Sequence, residues 1–319
     1  MVNHQHEWAV VLAAGDGTRL RSLTRLIAGE DTPKQFCRLY GDQTLLAQTR
    51  SRLAPAVSPE RTLFTVVKAH EKFYREELVD VAPSRMVVQP VNRGSTAAIL
   101  ASLLRIEKLA DDPIDGFFPT DHYYSKESRF AASVRVALKL ARERLDTVIL
   151  LGATAGHPEV EYGWIEPSQG LPSRLTKSLL QVNRFWEKPS AHIAQALLAR
   201  GCLWNTFVMI GRARAFLDML KVVEPRMVQV LRADSAGAAL GLAHRNDAYA
   251  ALASGDFSKQ VLSVSTEKLA VLRLGDVGWS DLGTPDRVRC AMTQSGPRSR
   301  WLGGPKHEKL MDLVTKANW

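Results

Sequence analysis

Residues 8–20 read Trp8-Ala-Val-Val-Leu-Ala-Ala-Gly-Asp-Gly-Thr-Arg-Leu20, an unbroken apolar run followed by a glycine-rich turn. The run stops at Gly15 and shows no alternation of polar and apolar residues. A strand covered on one face alternates, whereas a strand of a parallel sheet with helices on both faces is apolar throughout. The stretch therefore predicts a buried strand of a parallel sheet that leads directly into a turn.

Apolar runs of strand length alternate with helical patterns along the rest of the chain, which predicts a doubly wound α/β sheet. The predicted strands cover residues 8–14, 62–67, 85–88, 116–118, 147–151, 162–166, 179–186, 203–210 and 268–274. The predicted helices are 96–109 after an N-cap at Ser95, 129–145, 190–200 with Ser190 as N-cap and Gly201 past its end, and the alanine-rich 226–255. In 129–145 the predicted buried face holds Phe130, Val134, Ala137, Leu138, Ala141 and Leu145.

The net charge of +9 over 319 residues narrows the class of ligand. An excess of Lys and Arg is typical of nucleic-acid-binding proteins and of enzymes with small anionic substrates. These residues are scattered along the chain, and no run of five or six like charges occurs. The pattern favours phosphorylated small molecules over nucleic acid, with a merely solvated basic surface as the alternative.

Cysteine usage and hydropathy indicate the compartment. The three cysteines, Cys37, Cys202 and Cys290, are too few and too far apart for a disulfide framework or a zinc site, which is typical of a reducing compartment. No apolar segment is long enough to cross a bilayer, and the first residues lack the pattern of a cleaved signal peptide. We therefore expect a cytoplasmic protein without a membrane partner.

The turn after the first predicted strand is a candidate phosphate-binding loop. Gly15 and Gly17 let the backbone approach a phosphate closely, and successive free N–H groups can form an anion-binding nest. Arg19 adds a fixed fork of donors for phosphate oxygens. A plain Asp-Gly turn is the alternative. The loop lacks the Gly-Lys-Ser/Thr of a Walker loop and the third glycine of the dinucleotide fingerprint.

Three further motifs place polar residues next to predicted strands or turns. Lys34, in Thr32-Pro-Lys-Gln-Phe36, follows a rigid proline and can be directed at a phosphate. The loop Gln89-Pro-Val-Asn-Arg-Gly-Ser-Thr96 offers an amide that can read a base edge and a helix N-terminus that can hold phosphate or ribose. Asp121 follows a buried strand and is a candidate Mg²⁺ ligand in the crevice where open α/β sheets bind ligands. Each motif is also compatible with an ordinary turn or an exposed side chain.

The second half of the chain carries four more short motifs, Glu161-Tyr-Gly-Trp-Ile-Glu166, Phe185-Trp-Glu-Lys-Pro189, Leu203-Trp-Asn-Thr-Phe207 and Gly278-Trp-Ser-Asp-Leu-Gly283. They place carboxylates, a lysine and an asparagine at predicted strand ends. Side chains at such positions can converge on one pocket.

These eight motifs, in this order over residues 8 to 290, resemble the bacterial mannose-1-phosphate guanylyltransferases, which are sugar-phosphate nucleotidyltransferases. The resemblance implies a Rossmann-like nucleotide-diphospho-sugar transferase fold of the α/β class, with a mixed, mostly parallel sheet flanked by helices. It also implies a catalytic domain over residues 1–290. The C-terminal tail over residues 291–319 is predicted to be helical from a weak helical pattern of its own.

The resemblance assigns roles to individual residues. The nucleotide's phosphates, base and ribose would be held by Leu12, Ala13, Ala14, Gly15, Asp16, Gly17, Thr18, Arg19, Lys34, Gln89, Asn92 and Gly94. The sugar phosphate would be held by Gly163, Glu187, Lys188 and Asn205. Mg²⁺ would be held by Asp121 and Asp281. The catalytic residues would be Arg19, Lys34, Asp121 and Lys188.

The implied reaction joins GTP and mannose 1-phosphate into GDP-mannose and pyrophosphate with Mg²⁺ as cofactor. An oxygen of the sugar phosphate attacks the α-phosphorus in line, so catalysis consists of positioning and charge neutralisation. Alternatives are another pair, such as UTP or dTTP with glucose 1-phosphate, and a catalytically silent nucleotide-sugar-binding relative. A homodimer is an assembly that the sequence leaves open.

The chain departs from the family pattern at two places. Arg21-Ser22 replaces the usual Trp-Pro after the first motif, and Asn205-Thr206-Phe207 replaces the usual Asn-Ser-Gly. We expect Phe207 to change the shape of the sugar pocket.

Overall fold

The computed structural model of the chain describes residues 6–235 and 249–295. Within them, nine strands form one mixed sheet and two more form a small antiparallel ladder. The strands are β1 Glu7–Leu12, β2 Thr62–Val67, β3 Met86–Gln89, β4 Ile114–Pro119, β5 Tyr123–Tyr124, β6 Val148–Thr154, β7 Gly163–Gly170, β8 Leu179–Glu187, β9 Leu203–Arg212, β10 Leu269–Arg273 and β11 Trp279–Ser280. The α-helices are α1 Arg21–Ala28, α2 Leu45–Leu53, α3 Glu71–Glu77, α4 Gly94–Ile106, α5 Glu127–Glu143, α6 Ala191–Ala199, α7 Ala213–Val223, α8 Pro225–Ser235 and α9 Pro285–Ser295.

The strand order in the large sheet is β3-β2-β1-β4-β9-β6-β10-β8-β7. Strands β3, β2, β1 and β4 are parallel, as are β6 and β10. Antiparallel pairing enters with β9, which lies between β4 and β6, and with the β7–β8 hairpin. The predicted fold class, a Rossmann-like α/β sheet flanked by helices, is confirmed.

Strand β1 is buried on both faces, as its unbroken apolar run predicts. Val10 is in one core cluster, together with residues of α4, α7 and α8. Ala9 and Val11 are in the other, with residues of α2, α3 and α5. Because successive side chains of a strand point to opposite faces, a strand between two helical layers has no polar face. The turn after β1 therefore follows an interior strand, the third of the nine in the large sheet.

Two predicted helix details differ from the structure, and a third, the position of an N-cap, is confirmed. Ser95 is inside α4 rather than at its N-cap, because its hydroxyl accepts the N–H of Phe257 from a distant segment. Leu145 is 45% exposed because α5 ends at Glu143, before the predicted end. Ser190 occupies the N-cap position of α6 without a side-chain cap hydrogen bond.

Two predicted segments are described only in part. Of the alanine-rich stretch 226–255, residues 236–248 lie outside the described residues. The predicted domain boundary at residue 290 falls inside α9, where the buried Val288 and Ala291 share a core cluster with Leu20 and Leu23. Residues 296–319 lie outside the described residues, so the predicted helical tail stays a prediction.

Among the described residues, no helix combines the length and the apolar character that crossing a membrane requires. The cytoplasmic location expected from the sequence stays a prediction.

Candidate active site

Side chains of three other segments donate hydrogen bonds to the main-chain carbonyls of the glycine-rich turn after β1. Thr120 Oγ1 donates to the carbonyl of residue 12 at 2.8 Å, and Asn92 Nδ2 donates to that of residue 14 at 3.3 Å. Gln35 Nε2 donates to the carbonyls of residues 13 and 15 at 3.0 and 2.7 Å. The carbonyls of residues 12–15 are therefore all bonded to the body of the protein.

Gly17 is the residue of this turn that no other type fits without strain. Its φ is +60°, a left-handed value that side chains with a Cβ disfavour. A Cβ at this position would lie 2.9 Å from the backbone nitrogen of Lys34. The close approach of the Thr32–Phe36 motif to the turn thus depends on glycine at position 17.

Lys34 links the turn to both predicted metal ligands. Its ammonium Nζ lies 2.9 Å from Asp121 Oδ2 and donates to the main-chain oxygen of Asp281 at 3.1 Å. The residue is 7% exposed. Asp121 and Asp281, 160 positions apart in the sequence, therefore border one buried ammonium group.

A cavity of about 160 Å³ opens at this point. Larger cavities of about 430 and 250 Å³ lie below the start of β2 and beside α8, away from the glycine-rich turn. We identify the smaller cavity as the candidate site, because it alone of the three is lined by both that turn and a predicted metal ligand. Its lining consists of Gly15, Gly17, Thr18, Arg19, Leu20, Lys34, Gln35, Asp121 and Gly283.

The two aspartates are held in the charged form. Burial alone would raise the pKa of Asp121, but Lys34 and His122 beside it outweigh burial and keep that pKa below its ordinary value. Burial also opposes ionisation of Asp281, and the positive charges of Arg287 and Lys34 again lower its pKa overall. Both carboxylates are therefore anionic at neutral pH.

Asp281 is fixed by a network that the sequence did not predict. Its Oδ1 accepts hydrogen bonds from the Tyr162 hydroxyl at 3.0 Å, the Gly283 N–H at 2.9 Å and Arg287 at 2.8 Å. Arg287, from α9, also pairs with Glu159 and lies 4.4 Å from the centre of the Tyr162 ring. Tyr162 stands inside a quoted motif, whereas Arg287 lies outside all eight motifs. Its partner Asp281 is six positions away in the sequence, and its partner Glu159 is 128 positions away.

Arg19 lies at the mouth of the cavity. Its guanidinium is 3.5 Å from Glu161 Oε2 and 3.9 Å from Asp281 Oδ2, and its side chain is half exposed. Thr18 and Arg19 both line the cavity, while Leu12, Ala13 and Ala14 lead into it. The structure thus brings the phosphate-binding residues predicted from the first two motifs together with Asp121 and Asp281.

The predicted sugar-phosphate residues form a second cluster. A Cβ at Gly163 would lie 2.9 Å from Glu187 Oε2 and 3.3 Å from Asn205 Cβ, so these three residues are in close contact. Burial and the nearby Asp256 raise the pKa of Glu187 to about 7, against the lowering effect of Lys188. The N–H of Lys188 donates to the Tyr162 carbonyl at 3.3 Å.

Phe207, the residue in place of the family's glycine, has a φ of +56°. That value belongs to the left-handed region, where glycine is favoured and an aromatic residue is strained. The Phe207 N–H donates to Asn205 Oδ1 at 3.0 Å, and its ring is partly buried against the core on the α4 side. The backbone shape expected of the glycine is kept, and a bulky side chain is added beside Asn205.

The residues of the predicted motif Gln89–Thr96 lie in two different surroundings. Asn92 Nδ2 donates to Asp16 Oδ2 at 3.1 Å, and Asn92 Oδ1 accepts the N–H of Gly94 at 2.9 Å, so Asn92 joins the glycine-rich turn. Gln89 is 1% exposed, and its Oε1 accepts a hydrogen bond from the Tyr249 hydroxyl at 2.6 Å. The predicted contacts of these residues with base and ribose stay predictions.

The N-terminus of α4, predicted to be able to hold phosphate or ribose, is partly covered by protein, with Gly94 and Ser95 half-buried and Thr96 fully buried. The Gly255 carbonyl accepts the N–H of Thr96 at 3.2 Å. A Cβ at Gly94 would lie 2.1 Å from that same carbonyl oxygen. A segment from after β9 therefore packs onto this terminus, and the predicted role of the terminus in holding phosphate or ribose stays a prediction.

The donor set is compatible with Mg²⁺. In the described part of the chain, no group of three or more His, Cys, Asp or Glu side chains is arranged to hold a metal ion. Mg²⁺ does not require such a group, since one or two carboxylates, water and substrate phosphates commonly complete its shell. Two anionic carboxylates, Asp121 and Asp281, beside a phosphate-type turn fit this preference.

Curated relatives match most of this chain but are longer. The xanthan biosynthesis protein XanB of Xanthomonas campestris pv. campestris is 29% identical over 316 residues, 97% of this chain and 63% of XanB. The mannose-1-phosphate guanylyltransferase ManC of Salmonella typhimurium is 30% identical over 283 residues, 87% of this chain and 58% of ManC. The chain thus spans about three fifths of the length of these relatives.

Solved structures share the fold. A Thermus thermophilus protein described as mannose-1-phosphate geranyltransferase superposes with a TM-score of 0.79 at 28% identity, covering 91% of this chain and 80% of the other. Mannose-6-phosphate isomerase of Helicobacter pylori has a TM-score of 0.66 at 20% identity, over 86% and 99% of the two chains, which is a likeness of fold alone.

The family model described as nucleotidyl transferase matches residues 8–295, which contain every site residue discussed above. The chain belongs to the nucleotidyl transferase family, as its sequence motifs predicted.

Proposed function

We propose that the chain transfers GMP from GTP to mannose 1-phosphate, giving GDP-mannose and pyrophosphate with Mg²⁺ as cofactor. The observation that carries the proposal is the bridge through Tyr162. Its hydroxyl donates to Asp281 on the phosphate side, and its carbonyl accepts the N–H of Lys188 on the sugar side. Tyr162 therefore joins the cluster around Asp281 to the cluster of predicted sugar-phosphate residues. An α-phosphate and a sugar phosphate can meet between these two clusters.

The choice of GTP and mannose 1-phosphate rests on similarity. The Salmonella typhimurium relative at 30% identity is a mannose-1-phosphate guanylyltransferase by name, and relatives from Klebsiella pneumoniae and Escherichia coli carry the same name at 27% identity. The eight motifs retain the residues that this resemblance assigns to both substrates. We therefore assign this substrate pair to the chain.

The proposed reaction needs no protein nucleophile. A non-bridging oxygen of mannose 1-phosphate forms a bond to the α-phosphorus of GTP, and the bond from that phosphorus to the β-phosphate oxygen breaks. The electron pair leaves with pyrophosphate. Because both substrates are anions, the main task of the protein is to align them and offset their charge.

The residues of the site divide this task. The N–H groups of the glycine-rich turn hold phosphate oxygens. Arg19 and Lys34 stabilise the charge that develops on pyrophosphate, and Lys188 offsets the charge of the incoming sugar phosphate. Glu187 accepts hydrogen bonds from sugar hydroxyls. When bound by Asp121 and Asp281, Mg²⁺ supplies further positive charge at the phosphate oxygens.

The proposal is tested by assaying the purified chain with GTP, ATP, UTP and dTTP, each against mannose 1-phosphate and glucose 1-phosphate. We expect GTP with mannose 1-phosphate to give the highest kcat/KM by a wide margin. A higher value for UTP or dTTP with glucose 1-phosphate would replace the proposed substrates within the same family. Absence of pyrophosphate release with every pair, despite nucleotide-sugar binding, would identify a catalytically silent relative.

A further inference from the structure

The side chain of Gln35 lies beneath the glycine-rich turn and gives both amide hydrogens to it. Its Nε2 is 3.0 Å from the Ala13 carbonyl oxygen and 2.7 Å from the Gly15 carbonyl oxygen. Gln35 is 2% exposed. The proposed reaction uses the neighbouring Lys34, so this buried glutamine has no role in the chemistry described so far.

Both carbonyls that Gln35 binds belong to the part of the turn that lines the cavity or leads into it. The other two carbonyls of residues 12–15 are bonded to Thr120 and Asn92. By contrast, the backbone N–H groups of residues 14–17 donate to no main-chain acceptor in the described part of the chain. The carbonyl oxygens of the turn are thus bonded to protein side chains, whereas its backbone N–H groups have no main-chain acceptor among the described residues and can bind a ligand.

The orientation of these peptide planes decides whether the turn attracts or repels a phosphate. A carbonyl oxygen carries negative partial charge, so rotation of one peptide plane replaces a donor with an acceptor at the anion. Gly15 has a wider range of backbone dihedral angles than a residue with a Cβ, so its own side chain does not fix the peptide plane that follows it. The hydrogen bond from Gln35 Nε2 to the Gly15 carbonyl oxygen holds this peptide plane in place.

We propose that Gln35 is a positioning residue for the nucleotide's phosphates, acting by holding the Ala13 and Gly15 carbonyls away from the cavity so that the turn presents N–H groups there. This inference rests on the proposed function, since it takes the ligand of the turn to be a nucleoside triphosphate. Gln35 also lines the cavity, but in this proposal its amide acts on the backbone of the turn and not on the substrate.

The same chain contains a matched control for a purely structural role. Gln48 of α2 also donates from Nε2 to two main-chain carbonyls, those of Tyr40 at 3.0 Å and Gln43 at 3.1 Å. Neither carbonyl lines the cavity. Gln48→Met therefore removes the same kind and number of hydrogen bonds as Gln35→Met, without altering the glycine-rich turn.

The experiment measures the Kd of GTP with Mg²⁺ and the Kd of mannose 1-phosphate by calorimetry, together with Tm. The variants are Gln35→Met, Gln35→Glu and Gln48→Met. We expect both Gln35 variants to bind GTP about 10- to 100-fold more weakly, the range for a hydrogen bond to a charged group, with the Kd of mannose 1-phosphate almost unchanged. Gln48→Met lowers Tm but leaves both Kd values at the wild-type level.

Three outcomes would overturn the inference. Wild-type GTP affinity in either folded Gln35 variant would show that the turn keeps its shape without the glutamine. An equal loss of GTP affinity in Gln48→Met would reduce Gln35 to general stability. If Gln35→Met does not fold, Gln35→Glu, which has nearly the same volume, decides between these results. A folded wild-type chain that binds no nucleoside triphosphate would instead overturn the proposed function, and the inference with it.

Discussion

At the level of a single residue, a substitution of Asp121 tests whether this carboxylate binds Mg²⁺. Asp121→Asn keeps the shape of the side chain but removes the charge that Mg²⁺ requires. We expect turnover to fall by about 100-fold or more under conditions where the variant is folded, and Tm to fall as well, because the buried Lys34 ammonium loses its charged partner. The measurement is pyrophosphate release at limiting Mg²⁺.

The matched control for this variant is Asp276→Asn. Asp276 is paired with Lys126 on the surface and belongs to neither cluster of the site. Its substitution is expected to leave turnover unchanged. Near-normal turnover of Asp121→Asn would remove Asp121 from the metal site.

From the raised pKa of Glu187 we predict that binding of the sugar phosphate depends on pH. Its pKa is raised to about 7, so the carboxyl is increasingly protonated as pH falls through that value and loses an acceptor for sugar hydroxyls. We expect the KM for mannose 1-phosphate to rise as pH is lowered from about 8 to about 6.

Glu187→Gln separates this effect from the titration of the substrate phosphate, because its amide does not ionise. We expect this variant to have a higher KM at about pH 8 and a weaker dependence on pH than the wild type. Parallel KM profiles for the two proteins would show that the Glu187 carboxyl does not contribute.

The sequence predicted site residues through their place in motifs that resemble a known family, since each residue alone is also compatible with an ordinary turn or an exposed side chain. Lys34, Asp121 and Asp281 were predicted to act together and do lie together. No role was predicted for Gln35 or Arg287, because neither the bonds of Gln35 to main-chain carbonyls nor the pairing of Arg287 with a distant glutamate is marked in the sequence. Arg287 and Glu159, for example, are 128 positions apart.

At the level of elements, agreement depends on how local the determining interactions are. The predicted strand 62–67 coincides with β2, since its apolar run is bounded by turn residues. The start of α4 was misplaced because the Ser95 hydroxyl accepts a hydrogen bond from the N–H of Phe257, which is 162 positions away in the sequence. The covering of α4 by Gly255 was missed for the same reason.

The glycine-rich turn yields a prediction about the element as a whole. Gly17→Ala introduces a Cβ at a left-handed φ and within 2.9 Å of the Lys34 backbone nitrogen, so the turn and the Lys34 motif must separate. We expect a loss of stability together with GTP affinity at least about tenfold weaker.

Gly41→Ala is the control for backbone strain alone. Gly41 has a φ of +69°, and a Cβ there would meet no atom within 4 Å. We expect it to cost about 1–2 kcal/mol of stability while GTP affinity stays at the wild-type level. An undiminished GTP affinity in Gly17→Ala, measured by calorimetry, would mean that the close approach of turn and Lys34 motif is not needed for binding.

At the level of the whole molecule, one buried group opposes the stability of the sheet. Asp115 of β4 is fully buried, and neither carboxylate oxygen has a hydrogen-bond partner within the described structure. Burial, with a smaller effect of Glu107, raises the pKa of Asp115 well above its ordinary value. The folded chain therefore keeps a proton that the unfolded chain releases at about pH 4.

Asp115→Val is expected to stabilise the fold by about 1–3 kcal/mol at neutral pH, because it removes a buried polar group without partners. In the wild type, stability falls as pH rises above about 4, since the folded state binds the extra proton. The advantage of the variant should therefore grow from about pH 4 to neutrality in urea unfolding. A variant that is less stable than wild type at neutral pH would contradict this view of Asp115.

At the level of the whole molecule, both clusters of the site must serve one transfer reaction if the proposed function holds. The most direct measurement incubates the chain with mannose 1-phosphate, Mg²⁺ and GTP labelled at the α-phosphorus, and then separates the products. We predict that the label appears in GDP-mannose, with one pyrophosphate released for each molecule formed. Label recovered only as unreacted GTP or as free GMP would contradict the account.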